Sequence, residues 1–183
     1  MPPKQLDKED ILLLLLSAMA GSGAKEKVSS ITRIEKMMFL LQRETAFSGL
    51  VAGKFSFKPW KFGPFSQEIY EDLDLLSSLE LVNVEERELA SYVDYTEEDD
   101  LIGVEQEDEP VVEKVFSLTD RGKRVAEKLR TLLSDSDWLE VLHLKKRFEG
   151  VPLTRLIQYV YQKYPETTEK SVLEHLKPRQ LAH

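Results

Sequence analysis

The sequence predicts a mainly helical protein with one small β-hairpin. Apolar residues recur at helical spacing in several segments, separated by Gly, Pro and Ser/Thr boundary signals. Two short stretches, near residues 81–84 and 112–118, have strand character and flank a run dense in acidic residues. The chain has no cysteine, which excludes disulfides, thiolate metal sites and cysteine nucleophiles and fits a reducing compartment. At 183 residues, 42% hydrophobic and 32% charged, it suits one packed domain, or one domain with an appended helical piece.

Residues 11–20 read as a buried first helix. The run imitates a signal-peptide core, with Ala18-Met19-Ala20 as a mimic of a cleavage site. However, Asp7, Glu9 and Asp10 stand where such a signal carries positive charge. The run is also too short to span a bilayer, which takes about 20 residues. Asp7 or Asp10 is placed to cap it, Gly21-Ser22-Gly23 to end it, and 24–29 reads as a polar connector. In the second helix Thr32 and Glu35 have capping-box spacing, with Ser29 or Ser30 as other caps. Ile34, Met38 and Leu41, with Met37 alongside, face the core. Phe55 and Phe57 alternate as a short strand, and Pro59 puts it at an edge or an end. Gly63-Pro64 signals a turn. A third helix is expected from near Pro64 or Ser66 to about Leu79, with Ile69, Leu73 and Leu76 inward. These inward positions of the second and third helices should be buried in mutual contact, and Trp60, Phe62 and Phe65 should plug the gap between them.

Residues 81–118 read as a hairpin, with Val112, Lys114, Phe116 and Leu118 on one side of its second strand. Between the strands, 97–100 and 105–110 form a repelling, solvated acidic excursion. Thr119 and Gly122 open another helix, with Val125, Leu129 and Leu132 inward and Arg121, Arg124 and Lys128 as a basic ridge. A fresh N-cap falls in 134–137, before helices over 138–148 and 153–164. Thr167 or Thr168 should cap a short last helix through about Leu176. The division expected is 1–133, with an acidic wing at 81–118, and a helical extension at 134–183.

Three helices, a hairpin and a helix entered through Ser117-Leu118-Thr119 and Gly122 make a winged helix-turn-helix pattern with appended C-terminal helices. The stretch Ile31-Thr32-Arg33-Ile34-Glu35-Lys36-Met37-Met38-Phe39-Leu40-Leu41 is followed by Phe57-Lys58-Pro59-Trp60-Lys61-Phe62-Gly63-Pro64-Phe65-Ser66 and then Ile69-Tyr70. Over about residues 10–80 this resembles Panacea-type antitoxin and phage-associated domains. Over most of its length, ending in Tyr161-Gln162-Lys163-Tyr164-Pro165-Glu166, the chain more closely resembles a group of uncharacterised, largely archaeal winged-helix proteins. The resemblance implies a winged-helix fold and an antitoxin-like or regulatory role, and supplies no catalytic residues.

Charge narrows the function. Of the net −8, residues 1–80 hold 10 basic and 11 acidic side chains, 81–118 hold 2 and 13, and 119–183 hold 13 and 9. The third helix, where most winged-helix domains read DNA, has Glu68, Glu71, Asp72, Asp74 and Glu80 and no cation between 66 and 80. Phosphate neutralisation favours cations at such a surface, so helix and wing both oppose a standard DNA pose. Lys54, Lys58 and Lys61, and Arg121, Arg124 and Lys128, are the better candidates for nucleic-acid or partner contact. The neighbours Lys123, Arg130, Lys145, Lys146 and Arg147 extend the second cluster. Gln67 and Tyr70 are where the third helix would read bases. Three scattered histidines, no phosphate-cradling glycine loop and no hydrolase motif argue against an enzyme, a metal or a cofactor. The expectation is a cytoplasmic, non-enzymatic winged-helix module with a protein partner and no membrane, with a homodimer left open. The alternative is a DNA-binding transcriptional regulator.

Overall fold

In the computed structural model, Ile11 to Leu16 are consecutive and all buried, because the first helix, α1 (Lys8–Met19), is wrapped on every side. The structure describes residues 6–20, 27–89 and 111–178. After α1 come β1 (Lys27–Ser29), α2 (Ile31–Glu44), the short α3 (Ser48–Val51), β2 (Lys58–Trp60), β3 (Gly63–Phe65) and α4 (Gln67–Ser78). Then follow β4 (Val82–Leu89), β5 (Val111–Leu118), α5 (Asp120–Arg130), α6 (Asp135–Phe148) and α7 (Leu153–Lys163), with 3-10 turns at Pro165–Thr168 and Glu174–Leu176. Helices α2, α4, α5 and α6 and strand β5 all pack on α1. Among the described residues no helix is long and apolar enough to cross a membrane.

The sheet has the order β1-β5-β4, antiparallel throughout, with Phe116 opposite both Val28 and Val84. Strands β2 and β3 form a separate two-stranded ribbon. The C-terminal helices share the core: Val141, Leu144, Phe148, Leu156, Val160 and Tyr161 belong to the same buried cluster as the α1 and α2 side chains.

Ile34, Met38, Leu41, Ile69, Leu73 and Leu76 are all buried, and α2 and α4 both pack on α1. At α1, the Asp7 backbone N–H donates to Asp10 Oδ2 at 3.1 Å, which closes the first turn. At α6, Ser134 Oγ accepts from the Asp137 N–H at 3.0 Å.

Several local expectations are corrected. Part of the connector, Lys27–Ser29, is strand β1. Thr32 does not cap α2: Ser30 stands at its N-cap with φ 69°, and Glu35 turns into the core. Residues 55–57 are not a strand; the strand is Lys58–Trp60, with Pro59 tolerated because a two-stranded ribbon has only edges. Gly63-Pro64 lies in β3, after the turn. Strand β4 runs to Leu89, and alternation on β5 breaks down outward: Phe116 and Leu118 are buried, Val112 and Lys114 are exposed, and Glu113 is buried on the other face. Leu132 lies beyond the end of α5 and is exposed; Ala126 and Leu133 are buried instead. The last helix is replaced by the two 3-10 turns. The Gly21-Ser22-Gly23 stop, residues 24–26 and the acidic excursions 97–100 and 105–110 lie outside the described residues.

Candidate interaction surfaces

The β2–β3 ribbon is held from below by charges buried in the core. Lys36 on α2 is 1% exposed and its Nζ donates to the Pro64 carbonyl at 2.9 Å. Glu35, 3% exposed, lies 3.7 Å from the same ammonium, and its Oε1 accepts the Ser66 N–H at 3.4 Å. Burial pulls the Lys36 ammonium down to about 8 and raises the Glu35 carboxyl, each shift opposed by the other's charge. Gly63, at φ 91°, accommodates Tyr161: an added Cβ would stand 2.7 Å from Tyr161 Cε1. Tyr161 is itself buried, with its hydroxyl 2.6 Å from Ser171 Oγ. On the far side the Val172 N–H donates to the Lys61 carbonyl at 3.0 Å.

This scaffold presents a row of rings. Trp60 and Phe65 have centroids 6.2 Å apart, and Phe65 and Tyr70 5.3 Å, each pair tilted by about 40°. Lys58 Nζ lies 5.8 Å from the Trp60 centroid and 5.5 Å from that of Phe65, and Lys170 Nζ lies 5.8 Å from Trp60. The expected plug between helices is therefore wrong for Trp60, which is 42% exposed. The interior plug is Phe39, edge-on to Phe57 at 5.2 Å and to Tyr164 at 5.0 Å. Phe62 is half-buried against the core.

Of the residues singled out from sequence, Lys58, Lys61 and Tyr70 fall on or beside this row. Lys54 is half-buried in the turn after α3. Gln67 is exposed at the start of α4, where the outward positions continue as Glu71, Asp74, Leu75 and Ser78. Arg121, Arg124 and Lys128 are exposed on α5, and Arg121 Nη1 donates to the Leu79 carbonyl at 3.3 Å. Among the neighbours, Arg130 pairs with Asp135 and Lys145 with Glu149, so the second cluster is partly neutralised.

Sequence reasoning missed Glu44, at the C-terminal end of α2. Its carboxylate accepts from Arg147 at 2.9 Å and from the Tyr159 and Tyr164 hydroxyls at 3.0 Å, and pairs with Lys163 at 3.0 Å. Burial would raise this carboxyl, but these donors outweigh it and hold it below its ordinary value. Arg33 completes the docking of the C-terminal helices, donating to the Val151 carbonyl at 2.8 Å. Lys170 and Glu44 carry no local sequence signal, because their partners are more than 100 residues away. No family model matches the chain, and no curated protein matches it.

Proposed function

We propose that the chain is a winged-helix protein that works without catalysis, as an antitoxin-like or regulatory module binding another protein through the outer face of α4. The position of β1 between α1 and α2, the sheet order β1-β5-β4, and α4 directly before the β4–β5 hairpin support the winged-helix assignment. The outer face of α4 carries the functional reading. It offers Glu71, Asp74 and Ser78 around Leu75, 43% exposed, with Leu79 one turn on and 46% exposed. An apolar pair ringed by carboxylates suits a protein contact and opposes a phosphate backbone. The C-terminal helices α6 and α7 brace this body through Arg33 and Glu44.

The test is affinity capture from native extract with the unmodified chain, Leu75→Glu and Arg124→Glu side by side. A partner held by the unmodified chain and by Arg124→Glu, and lost with Leu75→Glu, is expected. Duplex DNA should bind weakly and without sequence preference at physiological salt. Nanomolar, sequence-selective duplex binding, abolished by changes at Gln67 or Tyr70, would overturn the reading in favour of a DNA-binding regulator.

A further inference from the structure

Among the described residues Trp60 is the one Phe, Tyr or Trp side chain that is exposed. It stands on a two-stranded ribbon fixed by Lys36, Glu35, Tyr161 and Val172, so its ring is presented on rigid backbone. Two ammonium groups lie over it, those of Lys58 and Lys170, each 5.8 Å from its centroid, and Lys61, the next residue in the chain, is exposed. Among the described residues none of the three is in an ion pair, whereas Lys27, Lys145, Lys163 and Lys177 each have a carboxylate partner.

We propose that this ribbon binds single-stranded nucleic acid, with an unpaired base stacked on Trp60 and the flanking phosphates on Lys58, Lys61 and Lys170. An exposed aromatic ring beside cations that no carboxylate neutralises supplies the two components of sequence-tolerant single-strand binding, with the base displacing the ammonium groups that lie over Trp60. The row from Trp60 through Phe65 to Tyr70 extends the aromatic surface beyond a single ring. A duplex keeps its base faces stacked and has none free to offer Trp60. A short single strand need touch only the ribbon. An acidic peptide would match the lysines but would leave the ring faces without a planar partner. Trp60 and its lysines lie outside α4, which the row of rings reaches only at Tyr70, and the site does not depend on the protein-binding reading.

The chain has two tryptophans, so Trp138→Phe makes Trp60 the sole reporter. The full chain carrying that change is titrated with an oligothymidylate of about 15 nucleotides, and Trp60 emission and the anisotropy of the labelled oligonucleotide are followed. Saturable quenching at low salt is expected, with log K falling against log salt by about 0.7 for each phosphate engaged. Trp60→Ala should weaken anisotropy-detected binding tenfold or more. Lys58→Glu with Lys170→Glu should flatten the salt dependence, with circular dichroism checking that each surface variant stays folded. Absence of binding at low salt, equal affinity for the matching duplex, or affinity unchanged by Trp60→Ala would overturn the site. A response of Trp60 to a polyglutamate peptide and not to the oligothymidylate would overturn it too, and would reassign the ribbon to acidic protein segments.

Discussion

Lys36 and Pro64 are joined by a hydrogen bond in full burial: the ammonium of α2 donates to the carbonyl of β3 at 2.9 Å. A buried carbonyl without a donor is costly, and so is a buried ammonium without an acceptor. The pair satisfies both, with Glu35 supplying the compensating charge. The ribbon bearing Trp60 therefore owes its position to a cation that solvent does not reach.

Lys36→Met should lower unfolding stability by about 3–5 kcal/mol, because it leaves Glu35 buried without its cation and Pro64 without its donor. Urea unfolding measures it. Replacing Glu35 by Leu in the same chain should recover part of the loss, since the unpaired charge is then gone. A single-mutant loss below about 1 kcal/mol would mean that the site is open to water.

Gly122 sets two effects against each other. It lies inside α5, where alanine would ordinarily stabilise by about 1 kcal/mol. A Cβ there would run into the Leu81 carbonyl oxygen, well inside van der Waals contact, and would stand 2.9 Å from the carbonyl carbon. That backbone is pinned, because Leu81 O accepts the Thr119 N–H at 3.1 Å and Thr119 Oγ1 donates to Glu80 O at 2.7 Å. The clash wins: Gly122→Ala should destabilise by about 2 kcal/mol or more, read from thermal unfolding.

Glu44→Gln should cost about 1–2 kcal/mol at neutral pH. It weakens the contacts to Arg147 and Lys163, which are half exposed and so discounted for screening. The carboxyl is held below its ordinary value, so its contribution is present above the unfolded-state value and is lost as pH falls through the folded one. The gap between the two proteins should therefore close in acid. A gap independent of pH would mean that packing, and not charge, holds α7 to α2.

Periodicity made the helices and their buried faces legible, because burial at Ile34, Met38, Ile69 and Leu73 is a local repeat. Thr119 and Gly122 also gave a local signal, which the structure explains as a cap and a close approach. Hydrophobicity misled at Trp60: amphipathic rings go either way, and the core position was already filled by Phe39, Phe57 and Tyr164. Spacing misled at Glu35, which stands at capping-box distance from Thr32, and nothing local marked Lys36; both are buried because the ribbon folds over them. Tertiary partners separated by 28 and 31 residues leave no local pattern in either case.

Asp72 gives the last test. It lies on α4 at 5% exposure, and its Oδ2 has no hydrogen-bond partner among the described residues. Burial raises the carboxyl to about 6, and Glu9, Glu68 and Glu71 push the same way against Lys8. Raised above its ordinary value of 3.8, the group binds a proton more tightly in the folded chain than in the unfolded one. Stability therefore falls as pH climbs from about 4 to 6, and above that the ionised group costs the fold about 1–3 kcal/mol. Asp72→Asn removes the charge but keeps an unpartnered polar group, so only part of the cost is recovered. The variant should match the unmodified chain in urea near pH 4 and exceed it by about 1 kcal/mol near pH 7.5. A variant less stable at both values would mean that the carboxylate accepts bonds from ordered water, and that burial is not its main influence.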